Sequence, residues 1–181
     1  MVLKSFSKIN LSLNVNKRLN NGLHEIQTHF RLLDLFDEIK IEKSGGLKDE
    51  IKFSGNYSKN INKRDNSITQ TLRLLRKNRL VTNFFSINIK KNIPIFAGLG
   101  GGSSNAVYLV KHLLKKKIGK KMINSMKKKI GSDCYLFFHN QGYLENLNRI
   151  KTLQKEHKLF FLLVYPNIRC STKYVYSKVK N

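Results

Sequence analysis

The sequence predicts a single α+β domain in which a mixed or antiparallel sheet is covered by helices. Three observations support this. The chain has 181 residues, which suits one domain of about 100–200 residues. Its first third alternates apolar and polar side chains, and its middle carries apolar side chains at helical spacing. No linker rich in Pro, Gly or Ser divides it, so we expect one continuous core.

The first third of the chain is predicted to be antiparallel sheet. Apolar and polar residues alternate from Ile9 to Val15, which is the period of a half-buried strand. Residues 20–22, Asn-Asn-Gly, are typical of a tight turn. Two strand-like runs follow between residues 29 and 43, and Asp37 is expected to divide them. Residues 50–55 repeat the strand pattern after a Ser-Gly-Gly turn.

The middle of the chain is predicted to hold a helix, a strand and a loop. Apolar residues between Ile68 and Leu75 recur at spacings of four and three, as on the buried face of a helix. Asn66 is suited to cap the first turn of this helix. Residues 84–90 alternate like a strand, and a loop is expected across residues 92–102.

The second half of the chain is predicted to begin with two helices. Ser103 or Ser104 can cap the first helix, which carries a broad apolar side and stops near Gly119. A very basic helix is expected at residues 120–130. Strands are then expected at residues 134–139, 142–150 and 160–166, with a further helix at 171–178.

The chain is strongly basic, because 35 Lys and Arg against 11 Asp and Glu give a net charge of +24. Such a balance suits a nucleic-acid partner, with residues 111–117 and 120–129 as the candidate surface. However, Lys outnumbers Arg 27 to 8 and only 2 residues are Ala, a composition that an AT-rich genome imposes on any protein. We attribute most of the charge to that bias, which makes nucleic-acid binding an alternative hypothesis.

Membrane-spanning and secreted proteins are excluded by the sequence pattern. No apolar stretch approaches the ~20 residues of a membrane-spanning helix, and the N-terminus lacks the apolar core of a secretion signal. We therefore expect no membrane partner. Cys134 and Cys170 form no metal-binding cluster, and reduced thiols are expected. These features predict a cytoplasmic protein.

One segment carries most of the functional information. Residues 94–105 read PIFAGLGGGSSN, with four glycines within five residues ahead of two serines that open a helix. Each glycine costs roughly 0.5–1 kcal/mol of backbone entropy, so the cluster indicates a main chain that approaches a ligand closely. Its N–H groups and the positive end of the following helix would form an anion nest suited to phosphate.

Two common phosphate motifs do not fit this glycine loop. A Walker loop requires Gly-Lys-Ser/Thr after its last glycine, and the dinucleotide fingerprint requires Gly where Ser103 stands. The segment GLGGGSSN, preceded by Pro94, resembles instead the phosphate loop of the GHMP kinases. Three other segments resemble further motifs of that family in the right order, so the resemblance covers essentially the whole chain. They are SKINLSLNV at residues 7–15, NGLHEIQT at 21–28 and IGSDCYLFF at 130–138.

The resemblance implies a fold, cofactors and a reaction. Residues 1–181 would form the N-terminal ATP-binding domain of a GHMP kinase, which has the ribosomal protein S5 domain 2-like fold. The reaction would be phosphorylation by ATP with Mg²⁺. The resemblance is strongest to the branch whose small-molecule substrate is 4-diphosphocytidyl-2-C-methyl-D-erythritol. That branch phosphorylates the 2-hydroxyl of this compound on the non-mevalonate (MEP) pathway to isoprenoids.

The resemblance also assigns catalytic and cofactor-binding residues. Asp133 would draw the proton from the substrate hydroxyl, while Lys8 orients Asp133, holds it ionised and stabilises the charge on the transferred phosphoryl group. From their local patterns alone, Lys8 would be a solvent-facing strand residue and Asp133 a turn aspartate. Mg²⁺ would arrive with ATP, with Ser104 as its candidate ligand. The residues expected to bind ATP are Pro94, Ile95, Phe96, Ala97, Gly98, Leu99, Gly100, Gly101, Gly102, Ser103, Ser104 and Asn66.

Four residues correspond to substrate-binding positions of the family: Asn10, His24, Thr172 and Tyr176. Asn10 would contact the substrate near Lys8, and His24 and Tyr176 would contact its cytidine end. Considered alone, His24 is a polar residue beside a turn. A metal role is disfavoured because no second ligand follows it at a spacing of three or four.

Members of this branch are longer and continue into a second domain. We therefore expect this chain to lack that C-terminal domain, and either to pair with a separate C-terminal half or to self-associate through exposed apolar surface. An inactive remnant, a basic RNA-binding domain and another GHMP small-molecule kinase, such as homoserine or mevalonate kinase, are the alternatives. The glycine loop favours a kinase over an RNA-binding domain. His24 after Gly22 favours the cytidyl branch over the other kinases.

Overall fold

Strand β2 (His24–Lys43) is 20 residues long and runs through the centre of the sheet. The computed structural model describes residues 2–18, 24–155, 158–166 and 175. Within these residues five more strands join the sheet: β1 (Val2–Arg18), β3 (Glu50–Ser54), β4 (Phe85–Lys90), β5 (Gln141–Asn146) and β6 (Arg149–Lys151). Their order is β3-β4-β2-β5-β6, and β1 pairs with β2.

Strand β2 has three hydrogen-bonded neighbours. It pairs antiparallel with β1 from Val2 opposite Lys40 to Arg18 opposite His24, with register shifts at three places. Two different segments of β2 pair antiparallel with β4 and β5. Because β3 joins β4 in parallel, the sheet is mixed. The α+β class and the mixed sheet predicted from the sequence are confirmed.

The helices build the rest of the core. They are α1 (Ser67–Lys77), α2 (Gly101–Leu114), α3 (Lys120–Lys129) and a 3-10 helix (Ser132–Phe138). Helix α2 packs against β1, α1 and the 3-10 helix, so its N-terminus lies where the sheet meets the helices. One core cluster joins Ile39, Ile87 and Ile89 of the sheet to Ile68, Leu72 and Leu109 of the helices.

Several predicted elements are confirmed. The first strand, the helix capped by Asn66, the strand at 84–90 and the basic helix are present. The strand expected at 142–150 forms the short β5–β6 hairpin. None of the helices in the described part of the chain is long and apolar enough to cross a membrane. The turn expected at residues 20–22 and nearly all of the helix expected at 171–178 lie outside the described residues.

Five predictions about local structure are wrong. The first third of the chain is not entirely antiparallel, because β3 pairs in parallel with β4. Asp37 does not divide two strands, because it lies inside β2 with its side chain buried. Residues 134–139, expected as a strand, belong largely to the 3-10 helix, whose apolar side packs on α2. Helix α2 begins at Gly101 after Gly100, without a serine cap. Residues 160–166, expected as a buried strand, form no strand and expose Phe160, Leu162 and Val164.

Candidate active site

A cleft of about 1310 Å³ opens between β1, the glycine loop (residues 94–102) and the first turns of the helices. Lys8 and Asn10 of β1 line it on one side, and Asp133 lines it where the 3-10 helix starts. Every residue of the glycine loop also lines the cleft. The fold therefore brings together three segments that are far apart in the sequence.

The backbone of the glycine loop takes conformations that favour glycine at two positions. Gly98 has φ 72° and Gly100 has φ 71°, which is the left-handed region where a Cβ is strained. A Cβ on Gly100 would also lie 2.7 Å from Cζ of Phe137, whereas one on Gly98 would meet nothing within 4 Å. Gly100 thus lets the loop fold against the 3-10 helix.

Helix α2 begins inside the cleft with an uncapped N-terminus. Its N-cap residue is Gly100, no side chain caps its first turn, and that turn holds no acidic residue. The first N–H groups of a helix lack partners within the helix, and the helix dipole adds positive charge at the same end. Gly101, Gly102 and Ser103 therefore form an anion site made of backbone.

The side chains of Lys8 and Asp133 form an ion pair in the same cleft. Nζ of Lys8 lies 3.4 Å from Oδ2 of Asp133 and donates to Oδ1 of Asn10 at 3.2 Å. The Lys8 side chain is 5% exposed, while that of Asp133 is 32% exposed. The backbone N–H of Lys8 donates to the carbonyl of Leu99 at 3.0 Å, which ties β1 to the glycine loop.

This arrangement leaves the carboxylate of Asp133 able to react. A carboxylate can accept a proton from a hydroxyl group held in the cleft, and a neighbouring ammonium group offsets its charge. Because Lys8 is fixed by Asn10 and by the loop, the charge pair is held in one geometry. The pair and the anion site at α2 face the same space, as a transfer reaction on a phosphate requires.

The two serines of the loop have different surroundings. The hydroxyl of Ser104 is buried, lies 2.7 Å from that of Ser5 and donates to the carbonyl of Phe6 at 2.5 Å. Ser103 lines the cleft, whereas Ser104 is not among its lining residues. The buried position of Ser104 argues against its predicted role as a metal ligand. Ser103 does line the cleft, and its Oγ lies 3.0 Å from the position that a Cβ on Gly131 would occupy.

Asn66 lines the cleft, but its side-chain amide is used by the backbone around it. Oδ1 accepts from the N–H groups of Ile68 and Thr69 at 3.0 and 3.1 Å, and Nδ2 donates to the carbonyl of Asn62 at 2.9 Å. Thr69 completes the capping box by accepting from the N–H of Asn66. These hydrogen bonds fully account for Asn66 as a helix cap.

The remaining predicted substrate residues divide into two groups. Asn10 lines the cleft beside Lys8. His24 lies at the start of β2, opposite Arg18 in the register, and is not among the described lining residues. Thr172 and Tyr176 lie outside the described residues.

Three features of the cleft were not foreseen from the sequence. Tyr165 lies at the rim, where its hydroxyl donates to the carbonyl of Ile95 at 3.3 Å and its ring contacts that of Tyr57 edge to face. Asn105 is buried, lines the cleft, and has no hydrogen-bond partner for Oδ1 among the described residues. Lys91 also lines the cleft, and its ammonium group forms an ion pair with Asp37. Asn105 ends the GLGGGSSN segment, but neither the inward position of its side chain nor the contacts of Tyr165 and Lys91 follow from a local pattern.

Metal ligands and nucleophiles are scarce around this cleft. In the described parts of the chain, no three His, Cys, Asp or Glu side chains are grouped closely enough to hold a metal ion. Cys134, next to Asp133, is buried, and its burial raises the pKa of the thiol to about 12. A thiol with that pKa is protonated near neutral pH and is a poor nucleophile.

Comparison with known proteins agrees with the motifs. Residues 66–140 match the family described as GHMP kinases N terminal domain. The 4-diphosphocytidyl-2-C-methyl-D-erythritol kinase of Pelagibacter ubique is 40% identical over 98% of this chain and 64% of its own length. The enzyme of the same name from Ureaplasma urealyticum is 34% identical over 98% of this chain and 69% of its own length. The chain belongs to the 4-diphosphocytidyl-2-C-methyl-D-erythritol kinase family.

Solved structures place this member of the 4-diphosphocytidyl-2-C-methyl-D-erythritol kinase family among the GHMP kinases by fold. A 4-(cytidine 5'-diphospho)-2C-methyl-D-erythritol kinase matches with a TM-score of 0.68 and 25% identity, over 99% of this chain and 65% of its own. A mevalonate kinase matches with a TM-score of 0.57 and 17% identity, over 85% of this chain and 56% of its own, which shows the fold alone. The chain spans slightly less than two thirds of the length of its first relatives.

Proposed function

We propose that this chain carries the catalytic cleft of an ATP-dependent kinase that phosphorylates the 2-hydroxyl of 4-diphosphocytidyl-2-C-methyl-D-erythritol. The observation that carries the proposal is the ion pair of Lys8 and Asp133, 3.4 Å apart, in the same cleft as the uncapped N-terminus of α2. One part of the cleft suits a phosphate chain, and the other suits a hydroxyl that must lose a proton. The substrate is taken from the relatives' names.

In this proposal Asp133 accepts the proton of the substrate hydroxyl as the oxygen attacks the γ-phosphorus of ATP. The new P–O bond forms as the bond to the β-phosphate oxygen breaks, and ADP leaves. Lys8 holds Asp133 in place and stabilises negative charge on the transferred group. The backbone N–H groups of Gly101, Gly102 and Ser103 bind the phosphate oxygens.

Mg²⁺ fits this site as a partner of the nucleotide. It would be held by the phosphates of ATP and by the hydroxyl of Ser103, because the described residues offer few carboxylates here. Bound there, it would neutralise phosphate charge. The remaining residues of the glycine loop, from Pro94 to Gly102, would enclose the nucleotide.

The substrate would lie on the β1 side of the cleft. Asn10 is proposed to contact it near Lys8, since Asn10 lines the cleft and accepts from Nζ of Lys8. The family resemblance extends this proposal to His24 and Tyr176 at the cytidine end and to Thr172 as a further substrate contact.

The test is ADP release by the 181-residue chain from ATP and Mg²⁺, with and without 4-diphosphocytidyl-2-C-methyl-D-erythritol. We expect release that depends on this substrate and exceeds release with mevalonate or homoserine. Asp133→Asn should lower the rate about 10²–10⁴-fold, the usual contribution of a positioned general base. Asp34→Asn is the matched control, because Asp34 is exposed on β2 and does not line the cleft.

Two results would contradict the proposal. One is a folded chain that binds ATP but releases no ADP with this substrate. The other is an Asp133→Asn variant that is as active as Asp34→Asn. Higher rates with mevalonate or homoserine would reassign the substrate to another GHMP kinase and keep the roles of Lys8 and Asp133.

A further inference from the structure

A second Lys–Asp pair lies beneath the glycine loop, and the proposed chemistry does not use it. Asp37 of β2 is 0% exposed, and its Oδ2 accepts from Nζ of Lys91, which is itself nearly buried. Taking both charges out of water costs free energy, and apolar side chains of similar volume often replace such pairs without loss of stability. The pair therefore calls for an explanation other than stability.

The other oxygen of Asp37 binds the start of the loop. Oδ1 accepts from the backbone N–H of Asn92 at 2.8 Å and from that of Ile93 at 2.9 Å. The side chain of Asn92 also donates to the carbonyl of Phe36 at 3.0 Å. The chain is thus fixed to β2 at the two residues that precede Pro94.

The ammonium group of Lys91 lies close to the end of the loop. Nζ lies 3.4 Å from the position that a Cβ on Gly101 would occupy, and Cγ2 of Ile93 lies 3.1 Å from that position. Gly101 is the first residue of α2 and part of the proposed phosphate site. Burial lowers the pKa of Lys91, and the charge of Asp37 opposes that shift.

We infer that Asp37 is a positioning residue that fixes both ends of the glycine loop. It holds the entrance of the loop through the N–H groups of residues 92 and 93. It holds the exit through the ammonium group of Lys91, which lies next to Gly101. The loop backbone is left-handed at Gly98 and Gly100, which glycine tolerates, and also at Phe96 (φ 59°), where a Cβ makes that conformation costly. Anchored ends hold such a backbone in its binding conformation before the nucleotide arrives. The link to nucleotide binding rests on the proposed function.

Amide hydrogen exchange tests the anchor without any ligand. In Asp37→Leu/Lys91→Met, which replaces the pair with apolar side chains, we expect exchange at least tenfold faster at four amides. The entrance probes are Asn92 and Ile93, which donate to Asp37, and the exit probes are Lys8 and Ser104, which donate to loop carbonyls. The β4 amides of Ile87 and Ile89 should be unchanged, which separates loosening of the loop from loss of the fold.

One further variant separates the effects on the two ends of the loop, and another serves as a control. Lys91→Met leaves the bonds of Asp37 to the entrance, so only the exit probes should speed up. Glu38→Gln/Lys90→Met removes the neighbouring, partly exposed ion pair, which is 3.1 Å long. The substituted amide keeps an oxygen that can accept from the side chain of Asn92, which lies 3.5 Å from Glu38, so this variant should change none of the four probes. The inference is overturned if Asp37→Leu/Lys91→Met leaves all four amides as in the wild type, or if Glu38→Gln/Lys90→Met speeds them equally.

Nucleotide affinity supplies the functional test. Asp37→Leu/Lys91→Met should weaken ATP binding at least tenfold and adenosine binding less than twofold, because adenosine has no phosphates for the loop to hold. Equal loss for both ligands, or no loss of ATP affinity, would overturn the positioning role. A wild-type chain that binds no ATP would instead refute the proposed nucleotide site, and the exchange experiment would still decide whether Asp37 anchors the loop.

Discussion

Helices α1 and α2 start side by side at the cleft, yet their N-termini are built in opposite ways. A Cβ on Gly102 would lie 3.6 Å from the hydroxyl of Ser67, so the two first turns are neighbours. At α1, Asn66 and Thr69 form a complete capping box. At α2 the cap is Gly100 in the left-handed region, with no side-chain bond.

The difference separates a helix start whose capping groups are used for structure from one that is proposed to bind a ligand. Two of the first-turn N–H groups of α1, those of Ile68 and Thr69, already donate to Asn66 and are not free to bind a ligand. Those of α2 lack a side-chain partner and face the cleft. Substitutions and ligands that act on one N-terminus and not on the other test this division of roles.

The largest effect is expected from Gly100→Ala. This substitution should deform the start of α2 and so remove the contrast between the two helix N-termini. The left-handed backbone costs roughly 1–2 kcal/mol for a residue with a Cβ, and the contact with Phe137 adds about 1–3 kcal/mol of overpacking. Urea unfolding should show a loss of about 2–5 kcal/mol, and ATP affinity should fall at least tenfold.

The matched control for that substitution is Gly119→Ala. Gly119 is the N-cap of α3, with φ −73° and nothing within 4 Å of a Cβ. The stability of this variant should change by less than about 1 kcal/mol, because the lower entropy of the unfolded chain and the poorer N-cap preference of Ala oppose each other. Similar losses for the two variants would mean that helix caps, and not the cleft, explain the result.

The second-largest effect is expected from ligand addition, because phosphate oxygens should supply the partners that α2 lacks. A ligand at about 100 times its Kd stabilises a protein by about 2.7 kcal/mol, so ADP at that excess should raise the Tm by roughly 5–10 °C. Differential scanning fluorimetry measures this shift. An equal shift in Gly100→Ala would show that ADP binds somewhere else.

A smaller effect is expected at the capped helix. Asn66→Ala removes the acceptor for two N–H groups and should cost about 1 kcal/mol of stability, with ADP affinity changed less than twofold. Asn66→Ser should restore most of the stability. A tenfold loss of ADP affinity in a folded Asn66→Ala protein would instead support the nucleotide contact that the family resemblance implies.

The smallest effects should distinguish the two serines in the first turn of α2. Ser104→Ala leaves the hydroxyl of Ser5 without its partner and should cost about 1 kcal/mol of stability, with Mg²⁺ dependence unchanged. Ser103→Ala should stay within about 0.5 kcal/mol in stability and raise the Mg²⁺ concentration needed for half-maximal ADP release. The reverse pattern would restore Ser104 as the candidate metal ligand.

The local parts of the site could be predicted from the sequence. The glycine loop has its own signature, and the capping role of Asn66 follows from its position before an apolar period. The roles proposed for Lys8 and Asp133 follow from the family resemblance, since each has an ordinary local pattern. The distance of 3.4 Å between Nζ of Lys8 and Oδ2 of Asp133 depends on how β1 and the 3-10 helix pack.

The wrong predictions share one physical cause, which is that tertiary contacts override local pattern. Asp37 looked like a strand break because buried carboxylates are rare, and its partner Lys91 lies 54 residues away. Residues 134–139 have the apolar content of a strand, but packing on α2 makes them a 3-10 helix. Leu162 and Val164 are apolar enough for a core, yet both are exposed.

The position of β2 at the centre of the sheet also has a consequence for the order of folding. Its pairing with β1 joins neighbouring parts of the chain, whereas its pairing with β5 joins Arg31 to Gln141 across 110 positions. Closing a long loop costs more entropy and slows folding. We therefore expect the β1–β2 hairpin to form early and β5 to join late, so that the Lys8 side of the cleft exists before the Asp133 side closes it.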